Sequence, residues 1–379
     1  MISEGTTRLL LVRSGGRCAI CYRDLFASEV TWKAVGLGER AHIVGRSTGE
    51  RSPRGDDPLP LGSRDEAANL LLLCGTCHDD LDDPTNLDVL TVAQLRSIKD
   101  AHESRIEQLL AIPPDNATTV LRMQGNIGDA AVHVDRTAAA SAVLGQNRFA
   151  RFPLSPDRTG LEIDLRRVAD PAPGNEDYYA SAARIIDGFF SRQFLPAVED
   201  GSIQHLSVFG LARWPLLVYL GASLGDKVGA DIYQRHRSIE GWRWPVDGQT
   251  TEFTWELTPG DDAEDAVLVL SLSAAVHIGE VPPRFKASAT YRIAPADGAT
   301  PHYDVIASPE SLKSAEHALR GVLADVEHHR KQVRRLHVLG AAPLSVCIAL
   351  GRALTRGVHP TLTLYDRVDN TYQQALEVR

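Results

Sequence analysis

The chain has 379 residues, of which 43% are apolar and 23% charged, and its formal net charge is −9. That length carries two or three domains with separate cores, and the composition is that of an ordinary globular protein. The acidic balance argues against a protein that grips nucleic acid continuously, because phosphate neutralisation supplies most non-specific affinity. No run reaches the roughly 18 apolar residues of a membrane span. The N-terminus lacks the basic, apolar, small-residue order of a secretory signal, so the cytoplasm is the expected location. Paired cysteines there hold metal more often than they form disulfides.

In chain order, residues 1–112 read as a first domain. A helix is expected over residues 3–14, followed by a Cys-x-x-Cys turn at Cys18 and Cys21, short strands, and a Gly/Pro/Arg-rich loop over 45–62. A second Cys-x-x-Cys turn, at Cys74 and Cys77, precedes a helix over about 92–110. Thr91 is its N-cap, and Val92, Leu95, Ile98 and Ile106 form its apolar stripe. Pro113 and Pro114 stop it. Residues 113–150, of mixed polar composition, read as a linker. From 151 to 379 the pattern is α/β: strands at 162–165, 206–210 and 266–272, long helices over 177–194 and 308–335, and closing strands at 336–339 and 361–365.

The two cysteine pairs supply four thiolates, which is what a closed tetrahedral zinc site needs. Cys347 lies in an apolar run and reads as a small buried hydrophobe. Ala41-His42-Ile43, Asn69 and His78 are threaded through the cysteine framework. Together they resemble the HNH nuclease family. The resemblance implies a zinc-stabilised ββα-metal fold in which His42 is the general base toward water. Asn69 then pins the loop that carries the base, and His78 ligates a catalytic cation, expected to be Mg²⁺. Many HNH enzymes place an acid directly before the base, where this chain has Ala41. That leaves Glu39, in Glu39-Arg40-Ala41-His42-Ile43, and Asp82 as acids for the cation. His42 has the alternative reading of a core histidine, and His78 that of a further zinc ligand. Residues 1–110 hold 13 Lys+Arg against 17 Asp+Glu, although Arg46, Arg51, Arg54 and Arg64 could line a groove for DNA.

The second half contains a weak repeat. Leu206-Ser-Val-Phe-Gly210 with Leu220-Gly221 returns as Leu336-His-Val-Leu-Gly340 with Leu350-Gly351, and Tyr233-Gln-Arg235 returns as Tyr365-Asp-Arg367. Each copy reads as strand, glycine turn, proline-started helix and strand, giving two pseudo-symmetric Rossmann-like halves. Gly210 and Gly340 would let the backbone approach a ligand. These segments, with Gly241-Trp-Arg-Trp-Pro245, resemble the SAVED domain, a fused duplication of CARF-like sensors. With the HNH part, the whole chain resembles the HNH–SAVED effectors of bacterial CBASS anti-phage systems.

That resemblance implies a cyclic dinucleotide activator of the cyclic GMP–AMP type, switching on degradation of double-stranded DNA in abortive infection. It also implies a homo-oligomer, since one HNH centre cuts one strand. Residues expected to hold the ligand are Arg213, Trp214, Tyr233, Gln234, Arg235, Ala341, Ala342, Tyr365 and Asp366. Tyr233 and Tyr365 have the second reading of packing at a strand end. Trp242 and Trp244 read more readily as core, and Arg352 as a structural ion-pair partner. A non-catalytic zinc-ribbon DNA-binding regulator is the alternative function. A third reading, consumption of the nucleotide by the second half, finds no acid/base pair there.

Overall fold

Ser3 accepts a hydrogen bond from the Thr6 amide at 3.0 Å and caps helix α1 (Glu4–Arg13), which begins where the sequence placed it. The structure is a computed structural model. It describes residues 2–28, 31, 33–49, 52–127, 133–153, 160–168, 176–276, 278–296, 298–368 and 371–379. They divide into two units, Met1–Pro113 and Pro114–Arg379. Among the described residues no helix is long and apolar enough to cross a membrane.

In the first unit β1 (Gly38–His42) pairs antiparallel with β2 (Leu70–Cys74), and α2 (Gly75–Asp82) follows without a break. This is a ββα arrangement. Every residue of β2, Leu-Leu-Leu-Leu-Cys, is buried, as a continuous apolar run requires. Helix α3 (Val92–Ala111) closes the unit, capped by Thr91, whose hydroxyl accepts from the Gln94 amide at 3.3 Å. Its buried residues are Leu95, Lys99 and His102, so only part of the expected stripe is interior. Lys99 satisfies its charge by donating to Leu70 O at 2.9 Å and pairing with Glu103.

The expected linker is instead the start of the second unit. It contains β3 (Ala117–Gln124), α4 (Arg136–Leu144) and the first residues of β4 (Phe149–Arg151). Next come β5 (Leu161–Asp164), α5 (Glu176–Phe189), a π-helical turn over Phe190–Phe194, and the short α6 (Leu195–Glu199). The half ends with β6 (His205–Leu211), α7 (Trp214–Leu224) and β7 (Gly229–Tyr233). Strands β4 and β5 lie along one side of β3, β6 lies on the other with β7 beyond it, and all pairings are parallel.

The second half adds β8 (Phe253–Thr258), β9 (Asp262–Ser271), β10 (Ser288–Pro295), α8 (Pro309–His329), β11 (Arg335–Ala341), α9 (Leu344–Arg352), β12 (Thr361–Val368) and β13 (Thr371–Val378). Its order is β13-β12-β11-β9-β10-β8, parallel in the middle and antiparallel at both edges. Stripped of those edges, each half has its first strand between its second and third, with the fourth outside. This is a doubly wound order, so the expected duplication is present in the topology.

The halves meet through α7 and α9, and glycine makes the crossing possible. A Cβ on Gly221 would sit 2.0 Å from Ile348 O, and one on Gly351 would sit 2.0 Å from Val218 O. The two contacts mirror each other at a constant sequence offset. Gly210 is likewise a packing glycine inside β6: a Cβ there would meet side chains of Leu217 and Ile348. Gly340 sits at φ +131° with Leu270 O within 2.1 Å of a would-be Cβ. Sheet packing therefore explains both turn glycines, and only Gly340 also borders the cavity described below.

Candidate functional site

In the first unit Cys18, Cys21, Cys74 and Cys77 bring their sulfurs within 4.8 Å of one another. Zinc–sulfur bonds of about 2.3 Å in a tetrahedron put sulfurs about 3.8 Å apart. Cys21 and Cys74 Sγ are 3.7 Å apart. Burial opposes ionisation of Cys18, yet amides of Cys21, Cys74 and Ile20 outweigh it and hold its pKa at about 7. Burial and the neighbouring sulfurs push Cys77 well up. Four crowded thiols cannot all ionise alone, and a dication removes that conflict. The residues fit zinc.

His42, at the end of β1, places Nε2 2.9 Å from Asp65 Oδ1. Asp65 was not singled out in the sequence. With a carboxylate there, Nε2 is the donor, which leaves Nδ1 as the nitrogen able to take a proton. Asn69 is 4% exposed and clamps the chain just after His42. Its Oδ1 accepts from the Val44 amide, and its Nδ2 donates to Val44 O and Arg64 O, all at 2.9 Å. Asn69 thereby ties the backbone two residues beyond His42 to that of Arg64.

His78, on α2, sits between two carboxylates: Nδ1 is 2.7 Å from Glu39 Oε2 and Nε2 is 3.4 Å from Asp82 Oδ2. Asp82 first and Glu39 second raise its pKa to about 9, against the effect of burial. All three expected cation residues meet, but on opposite edges of one imidazole. Among the described residues, only the four thiols converge three or more ligand atoms on one point. The arrangement thus fits no catalytic Mg²⁺ as it stands. Asp82 is also committed to Arg54, at 3.0 Å.

Two of the four arginines expected to line a groove, Arg54 and Arg64, are turned to the backbone instead. Arg54 donates to Ile43 O and Leu81 O at 2.7 and 2.9 Å. Arg64, 2% exposed, uses all five of its N–H groups on the carbonyls of Gly45, Ser47, Gly55, Asp57 and Leu59, at 2.7–3.1 Å. Arg46 is exposed, 3.9 Å from Asp65. Arg51 lies outside the described residues.

In the second unit a cavity of about 460 Å³ opens at the carboxyl ends of β6, β7, β11 and β12, where doubly wound sheets bind ligands. Arg213, Arg235, Arg237 and Arg367 line it, with Asp366 as the one carboxylate among the described lining residues. Each half reaches across to the other's helix start. Asp366, after the buried Tyr365 of β12, lies 2.9 Å from Arg213 at the cap of α7, and Tyr179 donates to the same oxygen at 2.5 Å. Gln234, after the buried Tyr233 of β7, accepts from the Ser345 hydroxyl at 2.7 Å and amide at 3.2 Å, at the start of α9. In each Tyr-x-Arg segment the middle residue clamps the halves and the arginine borders the cavity.

A family model for the SAVED domain, described as the SMODS-associated and fused to various effectors sensor domain, matches residues 186–378, just over half of the chain. The chain belongs to the SAVED family. Among solved structures it is similar to a Cap4 SAVED/CARF-domain receptor of Acinetobacter baumannii bound to the cyclic trinucleotide 3′3′3′-cAAA. That likeness has 14% identity and TM-score 0.46, covering 80% of this chain and 61% of that one. The Cap4 receptor of Moraxella osloensis is similar at 15% identity and TM-score 0.42, covering 76% and 60%. The chain thus spans about three-fifths of the length of these structures. No curated protein sequence matches it.

Of the residues expected to hold ligand in the SAVED region, Arg213, Trp214, Gln234, Arg235, Ala341, Ala342 and Asp366 line the cavity. Tyr233 and Tyr365 do not. Tyr233 is 1% exposed and stacks on Phe209 at 4.4 Å. Tyr365 is 2% exposed and meets His337 Nδ1 at 3.0 Å. Packing at the strand end is the reading that holds for both. Trp242 is core, edge-on to Phe209. Arg352 donates to Val228 O and Ala230 O, and Cys347 is fully buried. Sequence reasoning missed Arg237, Arg367, Ile127, Ser273 and Tyr303. The repeat carried a signal for Arg367, the counterpart of Arg235. Ile127, Ser273 and Tyr303 sit in loops that no pattern marks.

Proposed function

We propose that this SAVED protein is a nucleotide-sensing effector. Its second unit binds a cyclic oligonucleotide between its two halves, and binding turns on hydrolysis of double-stranded DNA by the first. The observation that carries the reading is the cavity, where Arg235 and Arg367, at pseudo-equivalent strand ends, join Arg213 and Arg237 around a space of about 460 Å³. That size lies within the roughly 300–1,000 Å³ of small-molecule sites. Planar, bidentate guanidinium groups suit phosphodiesters, and the repeat-related pair Arg235 and Arg367 suits a cyclic dinucleotide with two of them.

For the first unit the proposed chemistry rests on His42. Nδ1 takes the proton of an attacking water, Asp65 holds the imidazole tautomer through Nε2, and Asn69 fixes the backbone beside it. A single centre per chain cuts one strand, so duplex cleavage calls for at least two chains. One observation favours a second reading, a zinc-stabilised DNA-binding regulator without catalysis: Glu39 and Asp82 hold opposite nitrogens of His78 instead of converging.

The test is incubation of the zinc-loaded protein with plasmid, Mg²⁺ and a panel of cyclic di- and trinucleotides. Linearisation and loss of plasmid with one ligand, none without it, and none with His42→Ala is the expected outcome. Ligand-dependent DNA retention with no cutting by the wild type selects the regulator. Cutting at the wild-type rate by His42→Ala removes the assigned base.

A further inference from the structure

Tyr303 stands out among the residues around the cavity. It lies between β10 and α8 and lines the cavity, with 55% of the residue exposed. A lone exposed aromatic is ordinary. This one is mounted on a fixed backbone. The next residue, Asp304, accepts from the amides of Arg237 and Ser238, both at 3.0 Å, and the His302 amide donates to Leu272 O at 3.1 Å. Val305 and Ile306 behind it are buried. The Arg237 guanidinium lies 5.8 Å from the Tyr303 ring centroid, within cation–π range.

We infer that Tyr303, backed by Arg237, is a base-stacking subsite of the cavity: the ring takes the face of a nucleobase whose phosphate lies toward Arg235 and Arg367. This deepens the sensor reading above and rests on it. The chemistry follows from what the rim offers. A phosphate ligand alone has no use for an open phenol ring, whereas every base has a π-face, and a ring that is already held in place loses little freedom on binding. Ile127, 40% exposed and also on the cavity, gives the same mouth an apolar patch from the other half.

The experiment measures binding of 3′,3′-cyclic GMP–AMP, cyclic di-AMP, cyclic di-GMP and cyclic tri-AMP to the full chain by calorimetry. It compares wild type with Tyr303→Phe, Tyr303→Leu and Tyr303→Ala. For the ligand that binds wild type, Tyr303→Phe should stay within about twofold. Tyr303→Leu and Tyr303→Ala should weaken binding by about 5- to 150-fold, the range set by loss of one base–aromatic stack. Unfolding curves of all variants should coincide with wild type. Equal affinity of Tyr303→Leu and wild type overturns the subsite and leaves the sensor reading intact. A loss in Tyr303→Phe as large as in Tyr303→Ala also overturns it, because the hydroxyl and not the ring would be the contact. If wild type binds no member of the panel, the sensor reading falls and the subsite with it.

Discussion

Arg64→Lys separates two roles for an arginine that the sequence placed in a basic cluster. If Arg64 faced DNA, lysine would keep its charge and much of its contact. In the structure all five of its N–H groups are spent on main-chain carbonyls spread from Gly45 to Leu59. Lysine has three donors on one nitrogen and no planar fork. At least two of the five carbonyls lose their donor. At about 1–3 kcal/mol for each stranded buried group, the cost is about 2–6 kcal/mol. Such a loss is a large share of the roughly 5–15 kcal/mol that stabilises a domain. Hydrogen exchange followed by mass spectrometry reads it directly. The Gly45 amide, bonded to Pro53 O at 2.9 Å, and the Gly55 amide, bonded to Ser52 O at 2.8 Å, should exchange much faster in the variant. Denaturant unfolding of the first unit should move to lower midpoint. Unchanged exchange at these amides, with weaker DNA retention alone, would refute the pinning role.

The zinc site should release one zinc per chain to a colorimetric chelator after thiol modification, and Cys74→Ser should abolish stoichiometric zinc and unfold the first unit, read by its loss of protease resistance. Gly221→Ala places a methyl 2.0 Å from Ile348 O in the α7–α9 crossing, so it should cost about 1–3 kcal/mol or more in thermal or denaturant unfolding. A neutral effect would mean the two helices slide apart freely. Asp65→Asn should preserve zinc content and unfolding behaviour while slowing ligand-activated plasmid cleavage; for His42→Ala the expected loss is about 10²- to 10⁴-fold. Cleavage by Asp65→Asn at the wild-type rate would remove Asp65 from the mechanism.

Much of the architecture was legible because local rules dominate it. Ser3 and Thr91 cap the helices that begin just after them, the Leu70–Cys74 run is a buried strand, and proline at residue 113 follows the end of α3. Failures came where pairing partners decide. Strand β3 was read as linker because Ala117–Gln124 mixes threonine, arginine and glutamine with apolar residues. Its polar side chains are buried by long-range partners: Thr118 meets His205 and Ser207, and Arg122 meets Glu162. Strand β13 was missed for a related reason, since Thr371–Val378 is a half-polar edge that becomes a strand only by lying against β12.

By itself the sequence determined the thiol tetrad, the doubled α/β pattern and which strand ends would carry arginine, since these follow from residue spacing along one segment. Tertiary structure alone decided what each of those residues faces. It turned Tyr233 and Tyr365 inward and gave Arg54 and Arg64 to the backbone. It also paired His42 with Asp65 and brought Tyr303 to the mouth of a cavity whose other residues lie up to 176 positions away, at Ile127. Spacing fixes which side chains a segment presents. What they meet depends on chain segments far away in sequence, whose approach is set by burial and hydrogen bonding of the whole fold.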